Sequence, residues 1–356
     1  MSFLAFDHPF LSGLVGDEEI AAYFSAEADI DAMLAFEMAL AEAEAECGVI
    51  EAAEAQAIRA GLSGFSPDMA DLRRGTAQDG VVIPALVRQM RKAVGGEAGE
   101  RLHYGATSQD VIDTSLMLRL QRTVHLIDHR LEDVCAALQA LSDRLGTNGL
   151  MGRTRMQAAI AITVADRIDS WRRPLMDGRR QAASLLASGF AVQFGGAAGT
   201  LEKFGAKGPA VRAALARRLG LADVPQWQSQ RGRLVDIGHF LTSVSGSLGK
   251  FGQDVALLAQ TGGEISLSGG GGSSAMPHKQ NPVAAEVLVT LARFNALQIG
   301  GLYQSMVHEQ ERSGAAWTLE WLTLPQIAVT TGASLKLAVT LAGSIQSLGQ
   351  GKTTES

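Results

Sequence analysis

The side chains best suited to chemistry lie in one stretch, residues 267–286, reading LSGGGGSSAMPHKQNPVAAE. Four consecutive glycines, Gly269 to Gly272, give the backbone unusual freedom and lead straight to two hydroxyls, Ser273 and Ser274. Met276 and Pro277 stiffen the chain, and His278, Lys279 and Asn281 follow, three side chains that hold anions by charge or hydrogen bonding. Asn281 and Pro282 have the character of an N-cap and first helical position, and a helix start adds free N–H groups and a positive dipole end. The combination is a flexible lid with a nucleophile-sized polar tip over an anion receptor. A plain Gly/Ser linker is simpler, but it gives no reason for Met-Pro-x-Lys-x-Asn-Pro behind the serines.

Four further clusters carry polar groups in suggestive order. His103, Thr107, Ser108 and Asp110 precede a long helical pattern, and two hydroxyls at a helix start either hold a carboxylate or cap the helix. Arg153, Arg155 and Gln157 stand in GRTRMQ, expected just before another helix; Arg155 either faces an anion or pairs with Asp166 or Asp169 across that helix. Arg231, in QRGR, is expected to add positive charge to the same pocket. The fourth cluster, EQERSG at 309–314, runs on to Trp317, Glu320 and Trp321. His308-Glu309 is no zinc-protease signature, because Arg312 stands where the second histidine belongs, and His125 and His129 read as a solvated helix flank.

Taken together, GSSAMPHKQNP at 272–282 and HYGATSQD at 103–110 resemble signature regions of the fumarase/aspartase superfamily, which includes the class II fumarases, the argininosuccinate and adenylosuccinate lyases and the muconate cycloisomerases. The 309–321 stretch is more similar to the cycloisomerase branch, and QRGR is similar to a stretch of the adenylosuccinate lyases. The resemblance implies an all-α fold, a long-helix bundle with a helical N-terminal domain and a reduced C-terminal domain. It implies a cytoplasmic homotetramer whose active sites are shared between subunits, with a small anionic substrate and no metal or organic cofactor. The implied reaction is lactonisation of a tricarboxylate muconate in protocatechuate degradation. In that reaction Ser273 moves the proton with Ser274 beside it, while Thr107, Ser108, Lys279 and Asn281 anchor carboxylates and His103 and Arg155 complement the charge. Arg153, Gln157, Arg231, Met276 and His278 fall in the matching motifs as binding candidates. One departure bears on the chemistry. The lyases have a proton-donating histidine where this chain has Arg155, and arginine does not surrender a proton at neutral pH. That substitution favours a carboxylate that attacks already charged over a fumarate-releasing lyase. A 3-sulfomuconate substrate fits the same pattern. A non-catalytic helical scaffold fits it less well, because the lid motif keeps Ser273, Lys279 and Asn281.

These residues need long elements to position them. Leu116, Leu120, Val124, Ile127, Leu131, Val134, Leu138, Leu141 and Leu145 form a heptad seam, and a second runs from Leu234 to Leu258. A third, less regular, follows the lid from Val283 to Phe294, and Ile160, Val164, Ile168 and Trp171 mark a further helix. Shorter helices are expected from Asp17, over 26–46, 52–60, 84–94 and 210–219, with 68–80 polar and turn-rich, 317–348 helical and 349–356 frayed. The expected units are residues 1–102, 103–349 and a tail at 350–356.

Composition agrees with this class. The 356 residues are 46% hydrophobic and only 5% aromatic, which favours a large core of packed helices over a β-sandwich. A net charge of −6 and the absence of a basic tract exclude general nucleic-acid binding. No signal peptide and no uninterrupted apolar run of bilayer length is apparent, so no membrane partner is expected. Cys47 and Cys135 are isolated, which suits a reducing compartment rather than a disulfide or zinc framework.

Overall fold

The computed structural model describes residues 5–272, 276 and 280–350. The N-terminal part holds α1 (Ser12–Val15), α2 (Glu18–Ala22), α3 (Ala26–Glu46), α4 (Ala52–Leu62), α5 (Met69–Asp79), α6 (Ile83–Val94) and α7 (Gly96–Arg101). Local chemistry sets the bounds. Asp17 caps α2 by accepting from the Ile20 amide, and Ser25 caps α3 through the Ala28 amide. The expected polar turn at 68–80 is instead α5, because Asp68 accepts from the amides of Ala70 and Asp71 and Gly80, at φ 75°, closes the last turn.

The centre is built on α8 (Ser108–Leu145), whose 38 residues span about 57 Å at 1.5 Å per residue. The heptad seam is its buried face: Leu116, Leu120, Val124, Ile127, Leu131, Val134, Leu138 and Leu141 are all core residues. β1 (Gly149–Thr154) and β2 (Gln157–Thr163) follow, then α9 (Val164–Ser188), a 3-10 turn and α10 (Gly208–Leu219). α11 (Gly232–Thr261) carries the second seam, and after β3 (Ile265–Leu267), β4 (Gly271–Gly272) and β5 (Gln280–Asn281) come α12 (Val283–Gln304), α13 (Gly314–Ser344) and β6 (Ile345–Leu348). Helices α8, α9, α11, α12 and α13 pack against one another as the long-helix bundle. At the α11–α12 contact a Cβ on Gly249 would lie 2.4 Å from the Ala292 Cβ, so only glycine lets the two backbones come this close.

Several local expectations fail where a strand replaces a helix. GRTRMQ precedes no helix; it forms the tip of the β1–β2 hairpin, with Thr154 opposite Gln157 and Arg155 and Met156 at φ 46° and 68° between them. Two left-handed residues give the twist that closes a two-residue hairpin. Ile160 therefore belongs to exposed β2, and α9 begins at Val164 behind the Thr163–Asp166 cap. Asn281 lies in β5 and the N-cap of α12 is Pro282, without a side-chain cap. At the far end the helix stops at Ser344, β6 pairs with β3, and Gly349 and Gln350 bond to Glu264 and Gly149 rather than fraying, while residues 351–356 of the expected tail lie outside the described residues. By length and composition alone α12 and α13 are each apolar enough to cross a bilayer, a test that the core helices of a bundle also pass, and 67% of the most apolar window of α13 is buried inside the protein.

Candidate active site

One group of candidates gathers at the start of α8. The Thr107 amide donates to Asp110, 3.0 Å away, which closes the helix start. Asp110 is fully buried and also accepts from the Gln193 side chain and from the amides of Gly195 and Gly196, each at 2.9 to 3.0 Å. Burial pushes its carboxyl up to about 6, against the pull of these hydrogen bonds. The glycine-rich 193–200 segment is thereby tied across the helix start. Gln193 completes the tie by accepting from the Trp227 amide at 2.7 Å.

His103 enters this corner on a left-handed backbone, φ 63°, and its Nδ1 lies 2.6 Å from Glu37 of α3. Burial favours the neutral ring, but the Glu37 charge and hydrogen bond, with Asp110 behind them, raise its pKa above the usual histidine value. His103 and Ser108 line an open pocket of about 400 Å³ with Ile83, Pro84, Val87, Arg88 and Arg91. Beside it Arg312 donates to the side chains of Gln109 and Thr107 at 3.0 and 3.1 Å and to the Ala197 carbonyl at 3.2 Å. It places an exposed cation beside the Thr107 hydroxyl. In the sequence Arg312 reads only as a mismatch to a zinc motif, although its place in EQERSG is the available signal.

Arg231 departs from the expected role. Its side chain is fully buried, bonded to Asp113 at 2.6 and 3.1 Å and to Glu320 at 2.6 and 2.8 Å, and its guanidinium lies 4.9 Å from the Trp227 ring. Trp317 donates its indole N–H to the same Asp113 at 2.9 Å. Four of its five N–H groups are taken by these two carboxylates and the side chain is sealed from solvent, so Arg231 ties α8 to α13 instead of facing the pocket. His308, likewise fully buried, sits 3.5 Å from Glu320.

A second group lies at the opposite end of the bundle. Arg153 pairs with Glu264 at 2.6 Å, just ahead of β3. Arg155 stands at the hairpin tip and pairs with neither Asp166, which caps α9, nor Asp169, which holds Arg172 and Arg173. Both arginines line a cavity of about 640 Å³ with Arg167, Lys250 and Asp254. Gln157 is exposed on β2. β4 pairs with β5, so the two roots of the lid form a short stem holding half-buried Asn281, and Met276 is 43% exposed. Ser273, Ser274, His278 and Lys279 lie outside the described residues. β3, ahead of the lid stem, pairs with β6, and Gly149 at the start of the arginine hairpin exchanges hydrogen bonds with Gln350 just beyond it, so both are tied to one C-terminal segment.

The candidate residues therefore fall into two separate groups, each a candidate half-site. Thr107 and Ser108 stand at the N-cap and first residue of α8 and the arginine hairpin follows its last, about 57 Å along the helix. Within one chain they do not meet.

This arrangement has close parallels. The pattern of the lyase family matches residues 15–297, most of the chain. The chain belongs to the lyase family. A 3-carboxy-cis,cis-muconate cycloisomerase from Pseudomonas aeruginosa is 38% identical to this lyase over 328 residues, covering 90% of the chain and 72% of that relative. Among solved structures, the 3-carboxy-cis,cis-muconate lactonizing enzyme from Pseudomonas putida superposes with a TM-score of 0.89 at 35% identity, covering 95% of this lyase and 77% of that chain. A fumarate lyase from Mesorhizobium sp. BNC1 superposes with a TM-score of 0.86 at 32% identity, covering 94% and 76%.

Proposed function

We propose that this lyase is a cycloisomerase that converts 3-carboxy-cis,cis-muconate to a carboxymuconolactone, a step of protocatechuate degradation. The observation that carries the reading is its 38% identity to a cycloisomerase of that name across 90% of the chain. In this reaction one substrate carboxylate adds to the neighbouring double bond, the C–O bond forms, and the displaced π electrons rest on a carbon conjugated with a second carboxylate. A proton delivered to that carbon completes the lactone. The barrier falls when preorganised donors meet the charge that develops on the carboxylate oxygens.

Ser273 is the proposed proton donor, with Ser274 next to it, and closure of the lid excludes water from the carbanion. Thr107, Ser108 and Asn281, together with Arg153, Arg155, Gln157, Met276, His278 and Lys279, are the proposed binding groups, and His103 is placed with the catalytic set. The two half-sites are completed by pairing copies, one supplying the α8 start and another the hairpin and lid. Exposed apolar side chains at the end of α12 and just beyond it, Leu297 at 79%, Tyr303 at 47%, Met306 at 44% and Val307 at 74%, support such an assembly, for which we propose a homotetramer. Arg155 suits a substrate whose attacking group needs no proton removed.

The test is loss of muconate absorbance when the protein meets 3-carboxy-cis,cis-muconate, with 3-sulfomuconate in parallel. Rapid loss with the carboxy compound is the expected result, and Ser273→Ala is expected to abolish it while the oligomer persists. Similarity to a fumarate lyase supports a second reading. Fumarate release from adenylosuccinate, without turnover of either muconate, would select it.

A further inference from the structure

Glu37 is a carboxyl group where the pattern of α3 calls for an apolar residue. It stands among buried Met33, Leu34, Phe36 and Leu40, and its own side chain is fully buried. An isolated carboxylate there is costly unless it is matched by charge or hydrogen bonding. Its Oε1 meets His103 Nδ1 at 2.6 Å, and Oε2 has no hydrogen-bond partner among the described residues. The histidine is therefore the group that compensates Glu37, and the fold strains itself to provide it. His103 takes φ 63°, which disfavours side chains with a Cβ, and two residues on Gly105 turns at φ 67° with a Cβ position only 2.3 Å from the Phe204 ring.

With Nδ1 committed to Glu37, the ring has one free nitrogen, Nε2, and the pocket it borders also holds Ser108, Arg88 and Arg91. The geometry points to Glu37 as a positioning residue that holds His103 as a two-proton imidazolium, presenting Nε2–H to the pocket as a charged donor for a substrate carboxylate. The charged groups around the ring agree on balance. Glu37 of α3 and Asp110 of α8 favour the cation, while Arg91 of α6 opposes it. Arg88 of α6 is occupied by Asp71 at 2.7 Å, and Arg101 of α7 pairs with Glu54. Glu44, the other buried carboxyl of α3, stays neutral to about 9 because burial and then Glu37 itself raise it, so it adds no competing charge at neutral pH. The ion pair thus turns a buried acid into a fixed positive donor at the mouth of the α8 half-site. Its catalytic arm rests on the lactonising reading; its charge state does not.

The experiment has two arms. Diethyl pyrocarbonate acylates neutral imidazole, so peptide-mapped labelling of the intact protein across pH reports each histidine separately. His103 is expected to label with a midpoint above that of free N-acetylhistidine labelled alongside, and Glu37→Gln is expected to lower that midpoint by about one to three pH units, the effect of removing an adjacent opposite charge. A midpoint equal to that of free N-acetylhistidine, no change in Glu37→Gln, or no labelling of His103 at any pH would overturn the proposal. The wild-type titration needs no variant, so it decides the ring's charge even where Glu37→Gln fails to fold.

In the kinetic arm, Glu37→Gln is expected to raise KM for 3-carboxy-cis,cis-muconate about tenfold at neutral pH with a smaller change in kcat, and to add nothing to His103→Gln. Full additivity of the two substitutions would mean that Glu37 acts only on the fold and would also overturn the proposal. Failure of the wild type to turn over any muconate removes the lactonising reading instead, and leaves the labelling midpoints to judge Glu37.

Discussion

Replacing Arg231 by methionine separates its two possible roles. The side chains of Arg231, Asp113 and Glu320 are all fully buried, and the arginine makes four hydrogen bonds to the two carboxylates. Arg231→Met keeps most of the volume but leaves two buried carboxylates facing each other with no cation between them. Breaking a buried pair in this way costs about 3–5 kcal/mol. Unfolding entropy of about 2.1 cal/mol/K per residue, taken over the whole chain, amounts to about 0.75 kcal/mol/K, so the melting temperature should fall by about 4–7 °C. Differential scanning calorimetry on the intact oligomer measures this directly. Adding Asp113→Asn and Glu320→Gln to Arg231→Met removes the charges as well as their partner, and should recover at least half of the loss. Below the melting range KM for the muconate should stay close to that of the wild type. A loss under about 1 kcal/mol, or a large rise in KM with stability intact, would refute the reasoning and return Arg231 to the substrate pocket.

Three other outcomes test separate parts of the structure. Glu44 is raised to about 9, by burial and then by Glu37, so its contribution is fully present below its unfolded value near 4.5 and is lost as pH rises toward 9; Glu44→Gln should therefore stabilise the protein at pH 8 and lose that advantage by pH 5, in urea titrations at the two values. Arg312→Ala removes the cation beside Thr107 and should raise KM about 10- to 100-fold, the worth of one charged hydrogen bond, with little change in melting temperature; an unchanged KM would place Arg312 outside the site. Gly249→Ala drives a methyl into Ala292 across the α11–α12 contact and should cost about 1–3 kcal/mol by urea unfolding, and a neutral effect would show that the helices move apart freely.

Much of the helical frame was legible because it depends on neighbours three and four residues apart. The seam from Leu116 to Leu141 is the buried face of α8, Asp17 caps the helix it starts, and Gly95 ends α6. Such signals are local, and 3.6-residue periodicity expresses them directly. The hairpin at Arg155 was not legible, since neither arginine nor methionine announces a left-handed φ, and the alternating Ala-Ile run after it is short enough to read as helix or strand. β6 was equally hidden: four residues become a strand only because β3, some eighty positions earlier, offers them an edge.

The half-sites show the same division. Sequence alone marked Thr107, Ser108, Arg153, Arg155 and the lid as groups suited to an anion, because residue type and order suffice for that. It also held an unread signal, the two acids Glu37 and Glu44 seven residues apart on the buried face of α3. Only the tertiary structure decided that Glu37 meets His103, that Arg231 is consumed by Asp113 and Glu320, and that α8 holds the hydroxyls and arginines a helix length apart. Charge becomes binding or stability according to what it is buried against, and those partners come from positions 66 to 118 residues away in the chain.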